Sequence, residues 1–70
     1  MNDREFQRRA AAYAKREGLR FRFRGRQGKG SHGRIHVGSF STTVKRGEFS
    51  RDLLMDMLRQ LHIPRKEFFR

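Results

Sequence analysis

Acidic residues are missing from the centre of this chain: no Asp or Glu stands between Gly18 and Gly47. That argues against two-metal nuclease chemistry there, which wants carboxylates beside the phosphate. Cysteine is missing altogether, which removes disulfides and thiolate metal sites. A zinc site needs three or four convergent ligands, and of the three histidines His32 and His36 are four apart on an expected loop and strand, not on one helix face. Proline occurs once, at position 64. No apolar run approaches the ~20 residues of a membrane span. The opening Asn2-Asp3-Arg4-Glu5 is polar and mixed in charge, unlike a signal peptide. With no cysteine, the expected location is cytoplasmic. Repeats, linkers and low-complexity tracts are also missing, so residues 1–70 are expected to form a single domain.

What is abundant is positive charge. The formal net charge is +11 on 70 residues, which implies a polyanionic partner: nucleic acid, an acidic protein or, least favoured, a lipid headgroup surface. A chain of this length buries only about 60% of its unfolded surface. Its core must be small, and seven phenylalanines carry much of it. The apolar residues are periodic, which points to a folded domain rather than disorder.

Phe6, Ala10, Tyr13 and Ala14 recur at helical spacing and predict a helix over 3–17. Asn2 or Asp3 caps it and Gly18 stops it. Leu19 to Arg24 alternates strictly and predicts a strand, with Leu19, Phe21 and Phe23 facing inward and Arg20, Arg22 and Arg24 outward. Gly25 to Gly33 reads as a loop. Arg34 to Val37 predicts a second strand, Gly38-Ser39 a two-residue turn, and Phe40 to Lys45 a third strand with Phe40, Thr42 and Val44 inward. Ser50 is placed to cap a second helix over 51–61, with Phe49 and Leu54 as a hydrophobic staple. Pro64 fits the first turn of a short helical end through Phe68.

The expected architecture is therefore α+β, a three-stranded antiparallel sheet with two helices on one face. Its α-β-β-β-α order is that of the double-stranded RNA-binding-domain fold. The other sheet face is left open to water. Arg20, Arg22, Arg24, Arg34, His36, Ser41, Thr43 and Lys45 fall on it. His32 has the same parity, provided the second strand reaches back that far.

The segment Gly28-Lys29-Gly30-Ser31-His32 sets an imidazole behind a glycine loop at the mouth of a strand. RNA carries its own nucleophile, the 2′-OH. A protein must deprotonate it, stabilise the phosphorane charge and protonate the leaving 5′ oxygen. Histidine, with a reference pKa of about 6.5, serves as base or acid near neutrality. His32 is the candidate catalytic residue and Lys29 its nearest electrostatic helper. Lys29, Ser31, Arg34, His36, Arg20, Arg22, Arg24 and Lys45 are the candidate RNA contacts. His62 reads as a capping or surface residue, and Phe6 and Tyr13 as core. The glycines do not make a P-loop, because no Lys-Ser/Thr and no helix follow them.

From Gly18 to Phe69 the chain resembles the HicA family of small bacterial toxins. The resemblance rests on the Gly-Lys-Gly-Ser-His run at 28–32, Ile35, and Thr43-Val44. It rests also on the closing pattern Leu54, Leu58, Leu61, Ile63, Arg65, Glu67 and Phe68. It implies an RNA-cleaving toxin (an mRNA interferase) of the fold just described, with His32 catalytic and no cofactor. It also implies a HicB-type antitoxin as partner, an acidic protein that covers the basic face. On the residues alone, a non-catalytic RNA-binding module of the same fold is the alternative. A DNA-binding or adaptor protein is a third reading.

Overall fold

A computed structural model of the chain describes residues 1–25 and 32–70. Its elements are α1 (Asp3–Glu17), β1 (Phe21–Arg24), β2 (His32–Val37), β3 (Phe40–Lys45), α2 (Arg51–Leu61) and α3 (Arg65–Phe68). The strands form one open antiparallel sheet in the order β1-β2-β3. The protein is thus α+β. Among the described residues no helix is long and apolar enough to cross a membrane.

Both long helices begin and end on chemistry visible in the sequence. The Asn2 side chain accepts the Glu5 N–H at 2.9 Å, and Gly18 adopts the left-handed conformation (φ 69°) that closes α1. Ser50 accepts the Leu53 N–H and caps α2. Phe49 and Leu54, the expected staple pair, are buried in one cluster. The α2 C-cap is His62 at φ 58°, a conformation most non-glycine residues avoid. Its ring stacks on Phe40 with centroids 3.8 Å apart. Gly38 has φ 61° and Ser39 keeps a negative φ, the sign pattern of a type II′ hairpin turn. Pro64 occupies the N-cap of α3 rather than its first turn, its carbonyl accepting the Glu67 and Phe68 N–H groups.

One face of the sheet presents Ile35, Val37, Thr42 and Val44, all buried. Against it α1 lays Phe6, Ala10, Tyr13 and Ala14, and α2 lays Leu54, Met57, Leu58 and Leu61. The buried Thr42 hydroxyl is satisfied by Gln60 Oε1 at 2.6 Å, tying β3 to α2. The N-terminus is clasped to the segment after β3. The Asp3 carboxylate accepts the Gly47 N–H, the Asp3 N–H reaches the Gly47 carbonyl, and the Phe49 N–H reaches the Met1 carbonyl.

Three expectations for the sheet need correcting. The first strand starts at Phe21, not Leu19. The Leu19 N–H donates to the Ala14 carbonyl at 2.8 Å, so this residue closes α1. The second strand starts at His32, two residues earlier than Arg34. Alternation turns Leu19, Phe23 and Phe40 inward, yet they are 42%, 44% and 42% exposed.

Candidate functional site

The uncovered face of the sheet is built in rungs. Arg22 pairs with His36 and His36 with Ser41; Arg24 pairs with Arg34 and Arg34 with Thr43; His32 pairs with Lys45. Residues directly opposite on neighbouring strands hold their Cβ atoms about 4.5–5.5 Å apart. His32 and Lys45, both exposed, are therefore adjacent side chains on the same face. Every ionisable residue in these rungs is Arg, Lys or His. No carboxylate in them offsets the field, which suits a phosphodiester backbone.

Arg34 is the ordered centre of the face. Its guanidinium donates to Thr43 Oγ1 and to Ser41 Oγ, both at 2.9 Å. Two hydroxyls fix its direction, and the remaining N–H groups stay available to a phosphate. Arg22 and Arg24 are exposed on the edge strand β1. Arg20 stands before that strand and outside its pairing. It is exposed, and its carbonyl accepts the Gly38 N–H. Lys29 and Ser31, with most of the expected glycine loop, lie outside the described residues.

His36, a candidate RNA contact, is less open than the other ionisable residues of these rungs. It is half-buried, and its Nε2 is the one buried side-chain nitrogen or oxygen without a hydrogen-bond partner among the described residues. It also stands four residues along β2 from His32. At about 3.3 Å per strand residue that is roughly 13 Å, too far for both imidazoles to serve one phosphate. Among the described residues, Lys45 is the cation directly opposite His32. The helical acids Asp52 and Asp56 lie on α2. Among the described residues no group of three or more His, Asp and Glu side chains is placed to hold a metal ion.

Sequence reasoning misses what lies beside this face. Behind the start of β2 is a cleft of about 310 Å³ lined by Asp3, Gln7, Phe23, Gly25, Gly33, Val44 and Arg46. Gly33, which the sequence places at the end of a loop, is a strand residue. It is approached so closely that a Cβ there meets the Arg24 carbonyl oxygen at 2.9 Å and the Phe23 ring at 2.9 Å. A glycine two residues before an alternating Ile35-x-Val37 is the available signal. Gly33→Ala is expected to cost about 1–3 kcal/mol, because the ring can swing away but the ladder carbonyl cannot. A thermal melt followed by circular dichroism reads this, and an unchanged midpoint contradicts the close approach.

Comparison of the chain with protein-family models, with curated proteins and with solved structures gives no match.

Proposed function

We propose that this protein is a HicA-type toxin, an endoribonuclease that cleaves RNA in the cytoplasm and is held in check by a HicB-type antitoxin. The observation that carries the reading is the position of His32. It is exposed at the start of β2, directly opposite Lys45, on a sheet face whose described ionisable groups are all Arg, Lys or His. The α-β-β-β-α order supports it, being that of the double-stranded RNA-binding-domain fold, and so do the family-like residues from Gly28 to His32 and from Leu54 to Phe68.

In this reading the phosphate to be cleaved sits between His32 and Lys45. His32 takes the proton of the adjacent 2′-OH as that oxygen attacks phosphorus. The Lys45 ammonium stabilises the charge on the non-bridging oxygens of the phosphorane. The bond to the 5′ oxygen breaks, that oxygen takes a proton from solvent water, and the His32 imidazolium returns its proton to solvent. The products are a 2′,3′-cyclic phosphate and a 5′-hydroxyl. Arg22, Arg24 and Arg34 hold the flanking phosphates. Because the nucleophile belongs to the substrate, the scheme requires no metal. An acidic antitoxin laid over the same rungs blocks the site by occupying the phosphate positions.

Purified protein is expected to cleave an end-labelled RNA in the presence of EDTA and to leave 2′,3′-cyclic phosphate ends. Cleavage that requires a divalent cation, or that leaves other ends, overturns the mechanism. Tight binding with no cleavage assigns the face to a non-catalytic RNA-binding module instead.

A further inference from the structure

We propose that the cleft behind His32 is a pocket for an unpaired base, with Phe23 as its stacking platform, and that the RNA recognised is therefore single-stranded. The inference rests on RNA being the ligand of the basic face and adds the class of RNA and a second contact surface.

Phe23 is 44% exposed although its alternation assigns it to the covered face of the sheet. Its ring tip lies between two residues without side chains. The Cβ position of Gly33 is 2.9 Å from Cε1, and that of Gly25 is 3.9 Å from Cε2. Glycine at both positions means that neither residue places a side chain against the ring. The same ring lines the cleft, whose volume of about 310 Å³ falls at the small end of ligand pockets.

The rest of the lining suits a base rather than an apolar group. Val44 supplies the floor, while Asp3 and Gln7 bring hydrogen-bonding groups from the first turns of α1. Asp3 uses one carboxylate oxygen on the Gly47 N–H, and a carboxylate has further acceptor capacity for the N–H groups of a base edge. Arg46 stands at the rim and follows Lys45 directly, so the cation that faces the scissile phosphate and the one that edges the cleft are chain neighbours. Gly33, in the cleft, follows His32. A strand running over the end of the sheet meets His32 and Lys45 with its phosphate and Phe23 with a neighbouring base. A duplex cannot do this, because its bases are already stacked and paired. Aromatic stacking beside a cationic track is how single strands are held without sequence reading.

The chain has no tryptophan, so Phe23→Trp introduces a single indole reporter at the cleft. The experiment uses this change and, separately, Phe23→Leu, both combined with His32→Ala so that RNA is held and not consumed. The probes are decauridylate, an abasic ribose-phosphate decamer and a short RNA duplex. Decauridylate is expected to quench the indole while the abasic decamer and the duplex bind without quenching. Phe23→Leu is expected to weaken decauridylate binding about 5- to 150-fold, from roughly 1–3 kcal/mol of stacking per base, and to leave the abasic decamer unaffected. Decauridylate binding with no quenching, or with undiminished affinity in Phe23→Leu, overturns the pocket and leaves the nuclease reading standing. Quenching by a protein that, with His32 restored, cleaves nothing has the opposite meaning. No binding of any probe overturns both.

Discussion

Phe6→Ala is expected to lower the thermal midpoint by roughly 12–40 °C and to leave the protein largely unfolded near 37 °C. Phe6 is fully buried. Its ring contacts Phe68 with centroids 5.0 Å apart and Phe49 edge-on at 5.8 Å. Those neighbours come from α3 and from the segment leading into α2, so one ring on α1 joins three parts of the chain. Truncating a buried phenylalanine costs about 3–5 kcal/mol. A domain of this length holds only about 3.5–10 kcal/mol in total, at 0.05–0.15 per residue, and each kcal/mol moves the midpoint about 4–8 °C. The chain has no disulfide to offset the loss. Phe69→Ala is the control. Phe69 is 43% exposed and touches Phe68 and Arg9 at the surface, so about 1 kcal/mol is expected. Equal midpoints for the two variants contradict the view that Phe6 is the centre of the core.

The helices are legible in the sequence because their ends and faces are written locally. Asn2 and Gly18 bound α1, Ser50 starts α2, and the buried residues of both helices are those at helical spacing. The hairpin of β2 and β3 is legible from Gly38 and the flanking alternation. Alternation tells which face a strand residue takes but not whether anything covers it. Leu19, Phe23 and Phe40 share the parity of Ile35 and Val44, yet each stays more than two-fifths exposed. The start of β1 is not legible because Leu19 has two roles open to it, and the hydrogen bond that closes α1 wins.

At the site, parity correctly predicts that Arg22, Arg24, Arg34, His36 and Lys45 share a face. The partner of His32 is not legible. Lys29, three residues away in sequence, is the expected helper and lies outside the described residues; register sets Lys45 opposite His32 from thirteen residues away. Strand register emerges from all the ladder hydrogen bonds together and leaves no mark on any single residue. The burial of His36 Nε2 and the Phe23 cleft are likewise products of packing.

His32→Ala is expected to cut RNA cleavage about 10²- to 10⁴-fold, the usual worth of a positioned proton acceptor, with a thermal midpoint close to the parent's. Exposure of His32 on the open face is what separates this result from unfolding. Phe6→Ala removes activity and structure together, whereas His32→Ala removes activity alone. Lys45→Ala separates chemistry from binding. If Lys45 only held a phosphate, KM would rise, kcat would stay, and the salt slope would become shallower by about 0.7 for one phosphate of a single strand no longer neutralised. If it stabilises the phosphorane, kcat falls by about 10²- to 10³-fold and Lys45→Arg restores part of it. The combined His32→Ala, Lys45→Ala variant is then expected to be little worse than His32→Ala, because two groups acting on one transition state are not additive. His36→Ala is expected to stay within a few-fold of the parent in rate, since roughly 13 Å of strand separates it from His32. Parent-like cleavage by folded His32→Ala removes His32 from the mechanism. A large loss in His36→Ala at an unchanged midpoint instead moves the chemistry along β2, to the pair His36 makes with Ser41.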